Sequence, residues 1–575
     1  MLIDMIHDNH GEPPFKTRYR DPATLRAYNY QAIVLPDALA ALPAAQDPSL
    51  PAGPLKPLGQ DPQQTITDRI AAATANNMTV FFYADALLLP RALIAKRPAD
   101  FLCDDSSGRL CPAKPALFAA LQDQLRALFD RWPAAAGLIF RTAEVYPEAT
   151  PHMTGNPLHT PACPACRAIS LSDRLVRFIT AVHDVLITEL DKLYIHRAWH
   201  PAIPGLPNMH DDPDVYRAIA DRVPNSPNLA FSFKFTRGDF HQPPPSALTA
   251  PAAQAGRTAF NPCLLADARP KWIEFQCERE FEGKGAFPNY QAPAWRELLA
   301  FLAPQHDAVP PPSPDEFARR FSLWGWSRGG GWGGPYVQRE EWIDANVHAL
   351  GALFADPNAT PADIAAAWVA RTFSIAESAA PTPAIVELLE RSAAVLRDLL
   401  YVDNPIGGGS GAGSTARSWL KDDLLDVEAL WSSAADIAAV GPHRADEAVR
   451  HKAAALAGVD RLRQLFDIAS PDLPNKSQAR DLANSLACLG SFAGAVVHLF
   501  TGFIRFHQWL RYSPSLGSPR ESLALDAADH LEHAQAHWQH HTQRHALLPG
   551  APSVFQENTL WDRTNACLEQ LQASP

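Results

Sequence analysis

The strongest constraint on this chain is a theme that recurs along its first 330 residues: a short apolar run that closes on polar residues, with helical stretches between several of the runs. LIDMIHDNH ends near Asp8 and His10, and YQAIVLPDA follows it. MTVFFYAD ends at Asp85 and AGLIFRTAE at Glu144. KLYIHRAWH closes on Arg197 and His200, and NLAFSFKFTRGDF runs on to Asp239. KWIEFQCERE and FSLWGWSRG complete a set of eight. PALFAALQDQLRALFDRW and SLSDRLVRFITAVHDVLITELDKL are amphipathic and precede the fourth and fifth runs. Strands alternating with helices build parallel βα units. Eight units predict a closed (β/α)8 TIM barrel. The alternative is an open doubly wound sheet, but no G-x-G-x-x-G follows the first strand.

In such a barrel the strand C-termini converge on one mouth, so the polar strand ends become neighbours. The stretch EFQCEREFEGKG sharpens this. Glu274, Gln276, Glu278, Glu280 and Glu282 share one parity, while Ile273, Phe275 and Cys277 share the other. Successive strand residues point to opposite faces, so the acidic parity is expected to face the barrel axis and the apolar parity the helices. Carboxylates inside are costly unless solvated, paired or employed.

Beyond about residue 340 the strand signal fades. EEWIDANVHALGALFA, PADIAAAWVARTF, TPAIVELLERSAAVLRDLL, ADEAVRHKAAALAGVDRLRQLFDIA and the long SQARDLANSLACLGSFAGAVVHLFTGFIRFHQWL read as helices. The expected organisation is a barrel over 1–340 and an all-α C-terminal domain over 341–575. GGGSGAGS at 407–414 reads as a loop or lid, since no Lys-Ser/Thr follows it as in a P-loop. A net charge of −12 argues against nucleic acid or anionic membrane as partner. No run reads as a bilayer span and no signal peptide opens the chain, so a cytoplasmic location is expected.

Glu144, Asp239 and Glu280 sit at or just past strand ends. Three such acids at one mouth suit glycoside hydrolysis, which needs a proton donor and a carboxylate that activates water or attacks directly. Trp199, Trp324, Trp326 and Trp332 suit stacking on sugar faces, or alternatively plug the barrel. Asp85, Arg141 and His200 join the same mouth as candidate sugar contacts.

Four segments resemble the family 67 α-glucuronidases. EFQCEREFEG is similar to that family's E-x-Q-x-x-Q-E-Y-x-G, and FKFTRGDFHQ to its Q-I-K-N-G-P-x-D-F-Q. GLIFRTAE is similar to its strand ending in an acid, and YIHRAWH to its W-R-A-F segment. WIDANVHALGALFADPNATPADIAAAW resembles the start of its helical domain. The resemblance implies Glu144 as general acid, Asp239 and Glu280 around the nucleophilic water, and inversion. It implies that Arg197 and Lys234 contact the sugar carboxylate or hydroxyls, that no cofactor is needed, and that the helical domain can pair into a homodimer. The chain departs from the family at Phe140, where the family has Lys, and at VYPEATPHMTG, where it has G-Q-P-G-P. It also begins its first strand almost at Met1, where the family carries a β-rich domain. Two alternatives stay open: an exo-glycosidase on another acidic or neutral sugar, and a non-catalytic carbohydrate-binding protein.

The cysteines pose a separate question. CPAC at 163–166 follows the fourth strand, and Cys103 and Cys111 follow the third. Unligated thiols or a local disulfide are the default expectation, with no metal. A four-thiolate zinc site from Cys103, Cys111, Cys163 and Cys166 is the alternative.

Overall fold

The β-branched and aromatic residues of the eight runs form eight parallel strands that close on themselves in a computed structural model. It describes residues 1–8, 15–36, 38–42, 61–145, 152–199, 208–210, 212–235, 261–279, 282–302, 320–329, 339–400, 427–513, 519–545 and 561–573. The strands are β1 (Leu2–His7), β2 (Ala32–Leu35), β3 (Thr79–Asp85), β4 (Gly137–Arg141), β5 (Leu193–Arg197), β6 (Leu229–Lys234), β7 (Lys271–Gln276) and β8 (Phe321–Gly329). Each pairs with its sequence neighbours, and β8 closes the ring on β1 through Leu2–Leu323 and Met5–Trp326. The expected (β/α)8 architecture is therefore observed, and each of the eight predicted runs contains one strand.

Period-two alternation fills the interior. Ile3, Met5, Ala32, Val34, Phe81, Tyr83, Ile139, Ile195, Ala230, Trp272, Trp324 and Trp326 form one buried cluster along the axis. The opposite parity faces the helix layer, where Phe140 packs edge-on against Phe178 and Tyr194. Helices Pro115–Arg131 and Leu171–His183 precede β4 and β5 as predicted. The second is capped by Ser170, whose hydroxyl accepts from Asp173 N at 3.1 Å. On β7, Phe275 faces outward onto Phe235, while Glu274 lies inside.

The acidic face of β7 is shorter than expected. The strand ends at Gln276, so only Glu274 and Gln276 keep the inward parity. Beyond it the chain bends, with Gly283 and Gly285 at φ +109° and +86°. Alternation has no meaning past a strand end. Glu282 instead accepts from Arg279 (2.8 Å) and Asn289 (2.7 Å) in a buried local cluster.

The chain divides into two compact units, Met1–Gln276 with Leu298–Gly329, and Cys277–Glu297 with Gly330–Pro575. Within the second, Asn346 anchors the 277–297 excursion by donating to the carbonyls of Cys277 (3.0 Å) and Asn289 (2.9 Å). The described residues of this unit beyond 340 form the helices α1 (Glu341–Ala355), α2 (Pro361–Phe373), α3 (Thr382–Leu400), α4 (Val427–Val440), α5 (Pro442–Ala469), α6 (Lys476–Leu510), α7 (Arg520–His545) and α8 (Asp562–Gln572). Helices α4, α7 and α8 were not expected. Contrary to the expectation that no run could span a bilayer, α6 is long and apolar enough to do so, with a mean hydropathy of 1.7 in its best window. That window is 83% buried, because α6 is the central helix onto which α7 packs. The GGGSGAGS stretch lies outside the described residues.

Candidate active site at the barrel mouth

The inward parity of β3, β4 and β5 delivers Asp85, Arg141 and Arg197 to the C-terminal end of the barrel. Arg141 donates to both oxygens of Asp85, at 2.7 and 2.9 Å, a two-point guanidinium–carboxylate pair. Its remaining terminal nitrogen donates to Glu144 at 3.1 Å. The guanidinium also lies 5.7 Å over the Tyr83 ring. Burial opposes the Arg141 charge, but Tyr83, Asp85 and Glu144 more than offset it and hold the group well above its ordinary range. The cation is permanent.

Deeper in the barrel, Arg197 pairs with Glu274. Its Nε reaches the two carboxylate oxygens at 3.1 and 2.9 Å, and Ser232 donates to the same carboxylate at 2.6 Å. Arg197 also donates to the Tyr83 hydroxyl at 3.4 Å. Both side chains are buried, at 2% and 0% exposure. Burial again opposes the cation and Glu274 reverses it. Trp324 and Trp326 stack at 5.4 Å and both underlie the Arg197 guanidinium. These tryptophans belong to the buried cluster along the barrel axis.

Lys234 leaves β6 with its ammonium 4.0 Å from the Trp199 ring centroid, and its backbone N–H donates to His210 Nε2 at 3.0 Å. Beside Trp326 stands His7, with ring centroids 6.3 Å apart. Burial first, then Arg141, depresses its pKa to about 4, so this imidazole is neutral near pH 7. On the outer face of β1, Asp4 accepts from Ser327 N (2.9 Å) and meets Ser327 Oγ at 2.6 Å. Burial raises its pKa to about 8 despite those bonds.

The structure therefore brings Asp85, Arg141, Glu144, Arg197, Lys234, Trp199 and Trp326 to one end of one barrel. Asp239, Glu280, His200, His10 and Trp332 lie outside the described residues. Glu274, Ser232, Tyr83 and His7 were not singled out from sequence as partners. The alternation Phe81-Tyr83-Asp85 and Ala230-Ser232-Lys234 carried the signal, because every second residue enters the barrel. Among the four cysteines the structure makes one cluster, with all thiols buried and unbridged.

No protein-family model matches the chain, and no curated protein matches it in sequence. The solved structure of a GH138 enzyme targeting pectin rhamnogalacturonan II aligns over 100% of this chain and 83% of its own, with TM-score 0.59 and 10% identity. CpGH84B aligns over 99% and 76% at TM-score 0.40 and 8% identity. A GH20 exo β-N-acetylglucosaminidase from Vibrio harveyi aligns over 68% and 58% at TM-score 0.34 and 12% identity. The first likeness is one of fold, a closed parallel barrel followed by helices.

Proposed function

We propose that this chain is a glycoside hydrolase that removes a terminal sugar from an oligosaccharide with inversion, a uronic acid, and glucuronic acid first, being the preferred residue. One observation carries the reading. Of the three carboxylates held by Arg141 and Arg197, Glu144 is the most open, at 21% exposure against 10% for Asp85 and 0% for Glu274. Glu144 also holds only one bond to Arg141, whereas Asp85 holds two. A glycosidic oxygen arriving at Glu144 therefore replaces a single 3.1 Å contact, while Arg141 stays fixed by Asp85. In this mechanism the arriving sugar displaces the contact with Arg141, Glu144 takes up a proton from solvent, and it delivers that proton to the leaving oxygen. Asp239 and Glu280, assigned by the motif resemblance alone, activate the water on the opposite face. Arg141, held beside Glu144, supplies positive charge for a sugar carboxylate. Arg197 acts one layer deeper, holding Glu274 and Tyr83 in place.

A second reading, a neutral terminal sugar, is favoured by a different observation: each of the two guanidiniums already faces a carboxylate. Incubation with a panel of uronic and neutral oligosaccharides separates the two, with product anomers followed by NMR. The proposal expects turnover of a uronide, the inverted anomer first, and a loss of roughly 100-fold or more in kcat for Glu144→Gln. Equal activity in that variant, or turnover of no member of the panel, defeats it.

A further inference from the structure

The loops after β3 and β4 carry a second assembly that the hydrolase reading does not use. Between Phe101 and Cys111 the chain folds into a small hairpin. Cys103 N donates to Arg109 O and Cys111 N to Phe101 O, both at 2.8 Å, and Leu102 pairs antiparallel with Leu110. Gly108 turns the hairpin at φ +66°, a conformation that side-chain-bearing residues rarely adopt. This places Cys103 and Cys111 on facing arms although seven residues separate them in sequence. The second loop brings Cys163 and Cys166 at the two ends of one helical turn, with Cys163 as the N-cap of Pro164–Arg167. Leu110 N donates to Asn156 Oδ1 (2.8 Å) and Arg109 to Thr160 Oγ1 (2.7 Å), so the loops are tied edge to edge.

The four sulfurs meet. Cys163 and Cys166 are 3.5 Å apart, Cys111 and Cys163 3.6 Å, and Cys103 and Cys166 4.0 Å. All four lie within 4.8 Å of one another, and every cysteine in the cluster is buried. A tetrahedron of sulfurs around zinc, with bonds of about 2.3 Å, has edges of about 3.8 Å. The spacings of 3.5, 3.6 and 4.0 Å bracket that edge, and no pair exceeds 4.8 Å. Two further features suit a metal–thiolate centre. Ala162 N donates to Cys166 Sγ at 3.2 Å, a bond that steadies sulfur charge. Arg174, 3% exposed, donates to the carbonyls of Cys166 (3.1 Å), Ile169 (2.6 Å), Leu158 (3.0 Å) and His159 (3.2 Å). It braces the second loop and sets a buried positive charge beside a centre whose four thiolates and one Zn²⁺ would sum to −2.

We infer that Cys103, Cys111, Cys163 and Cys166 form a structural zinc site that staples the loops after β3 and β4. Four protein ligands close the coordination shell, so the role is structural and not catalytic. Each loop grows directly from a mouth residue, the first from Asp85 and the second from Arg141 and Glu144, and Ala86 N donates to Arg141 O between them at 2.7 Å. The staple fixes that platform from the outside, and the inference does not depend on the hydrolase reading.

The test is metal content of the full chain, produced with added zinc and without chelator, and X-ray absorption at the zinc edge. One zinc per chain with four sulfurs at about 2.3 Å is expected. The Cys163→Ser/Cys166→Ser variant should lose that zinc, while Cys263→Ser and His541→Gln keep it. Because the double variant can fail to fold, cobalt substitution of the wild type is the second readout, and it should give the thiolate-to-metal absorption of a tetrahedral sulfur site. Chain purified without zinc, a double variant that retains it, a site with fewer than three sulfurs, or disulfides among these cysteines in mass spectra of freshly purified protein would each overturn the assignment.

Discussion

Glu274→Gln isolates the buried charge pair beneath the site. The substitution keeps shape and volume, so packing changes little. It removes the negative charge that faces Arg197 Nε at 2.9 and 3.1 Å and leaves a guanidinium at 2% exposure without its directly paired carboxylate. The amide introduced there still reaches Ser232, so the cost is electrostatic in origin. Losing a neutral hydrogen bond costs about 1 kcal/mol. Stranding a buried charge costs about 3–5 kcal/mol, and with 0% exposure at Glu274 the upper part of that range applies. Taking the urea dependence of a barrel this size as roughly 4 kcal/mol per molar, the midpoint falls by about 1 M. Trp324 and Trp326, 5.8 and 5.2 Å from the Arg197 guanidinium, report the transition by fluorescence. Arg197→Met in the Glu274→Gln background removes the orphan charge and should recover at least about half of the loss. A single variant within about 1 kcal/mol of wild type, or a double variant no better than the single, refutes the claim that this pair is a desolvated, mutually dependent unit.

Gly137→Ala places a Cβ 2.3 Å from the Leu193 carbonyl oxygen where β4 meets β5, a backbone clash that no rotamer relieves. It should cost about 1–3 kcal/mol by thermal or urea unfolding, and a neutral effect would mean the strands pair differently. Asp4 gives a pH signature. Its folded pKa of about 8 lies above the ordinary value of 3.8, so its contribution is complete below pH 3.8 and is lost as pH rises through 8. The stability of wild type relative to Asp4→Asn should therefore fall steadily from about pH 5 to about pH 8, and a constant difference would place the carboxyl in water.

The barrel was legible because each strand pairs apolar alternation with a polar end, as in MTVFFYAD and KLYIHRAWH, and eight such units leave few topologies. The site was legible to the level of position but not of partnership. Arg197 and Glu274 stand 77 residues apart and meet only once β5, β6 and β7 are laid side by side, with Ser232 between them. Local patterning carries no trace of that. The cysteine set was legible as a possible cluster from its place in adjacent loops, but not the hairpin around Gly108 that makes Cys103 and Cys111 neighbours. Helix α7 was missed because its buried positions, Ala527, Leu531, Ala534, Trp538, His541 and His545, keep a heptad spacing but spend two places on histidine and two on alanine. Hydrophobic periodicity reads residue type, and a buried histidine is counted as polar. The acidic run of EFQCEREFEGKG misled in the opposite way, since alternation continues in the sequence for six residues after the strand has ended at Gln276.

The most direct test of the central claim is a crystal structure of Glu144→Gln with an oligosaccharide that the wild type cleaves. The terminal sugar should sit at the barrel mouth with its glycosidic oxygen on the amide introduced at position 144. Asp239 and Glu280 should lie across the ring at about 6.5–9.5 Å from that side chain. A sugar bound away from that amide, or either of those carboxylates remote from the ring, would contradict it.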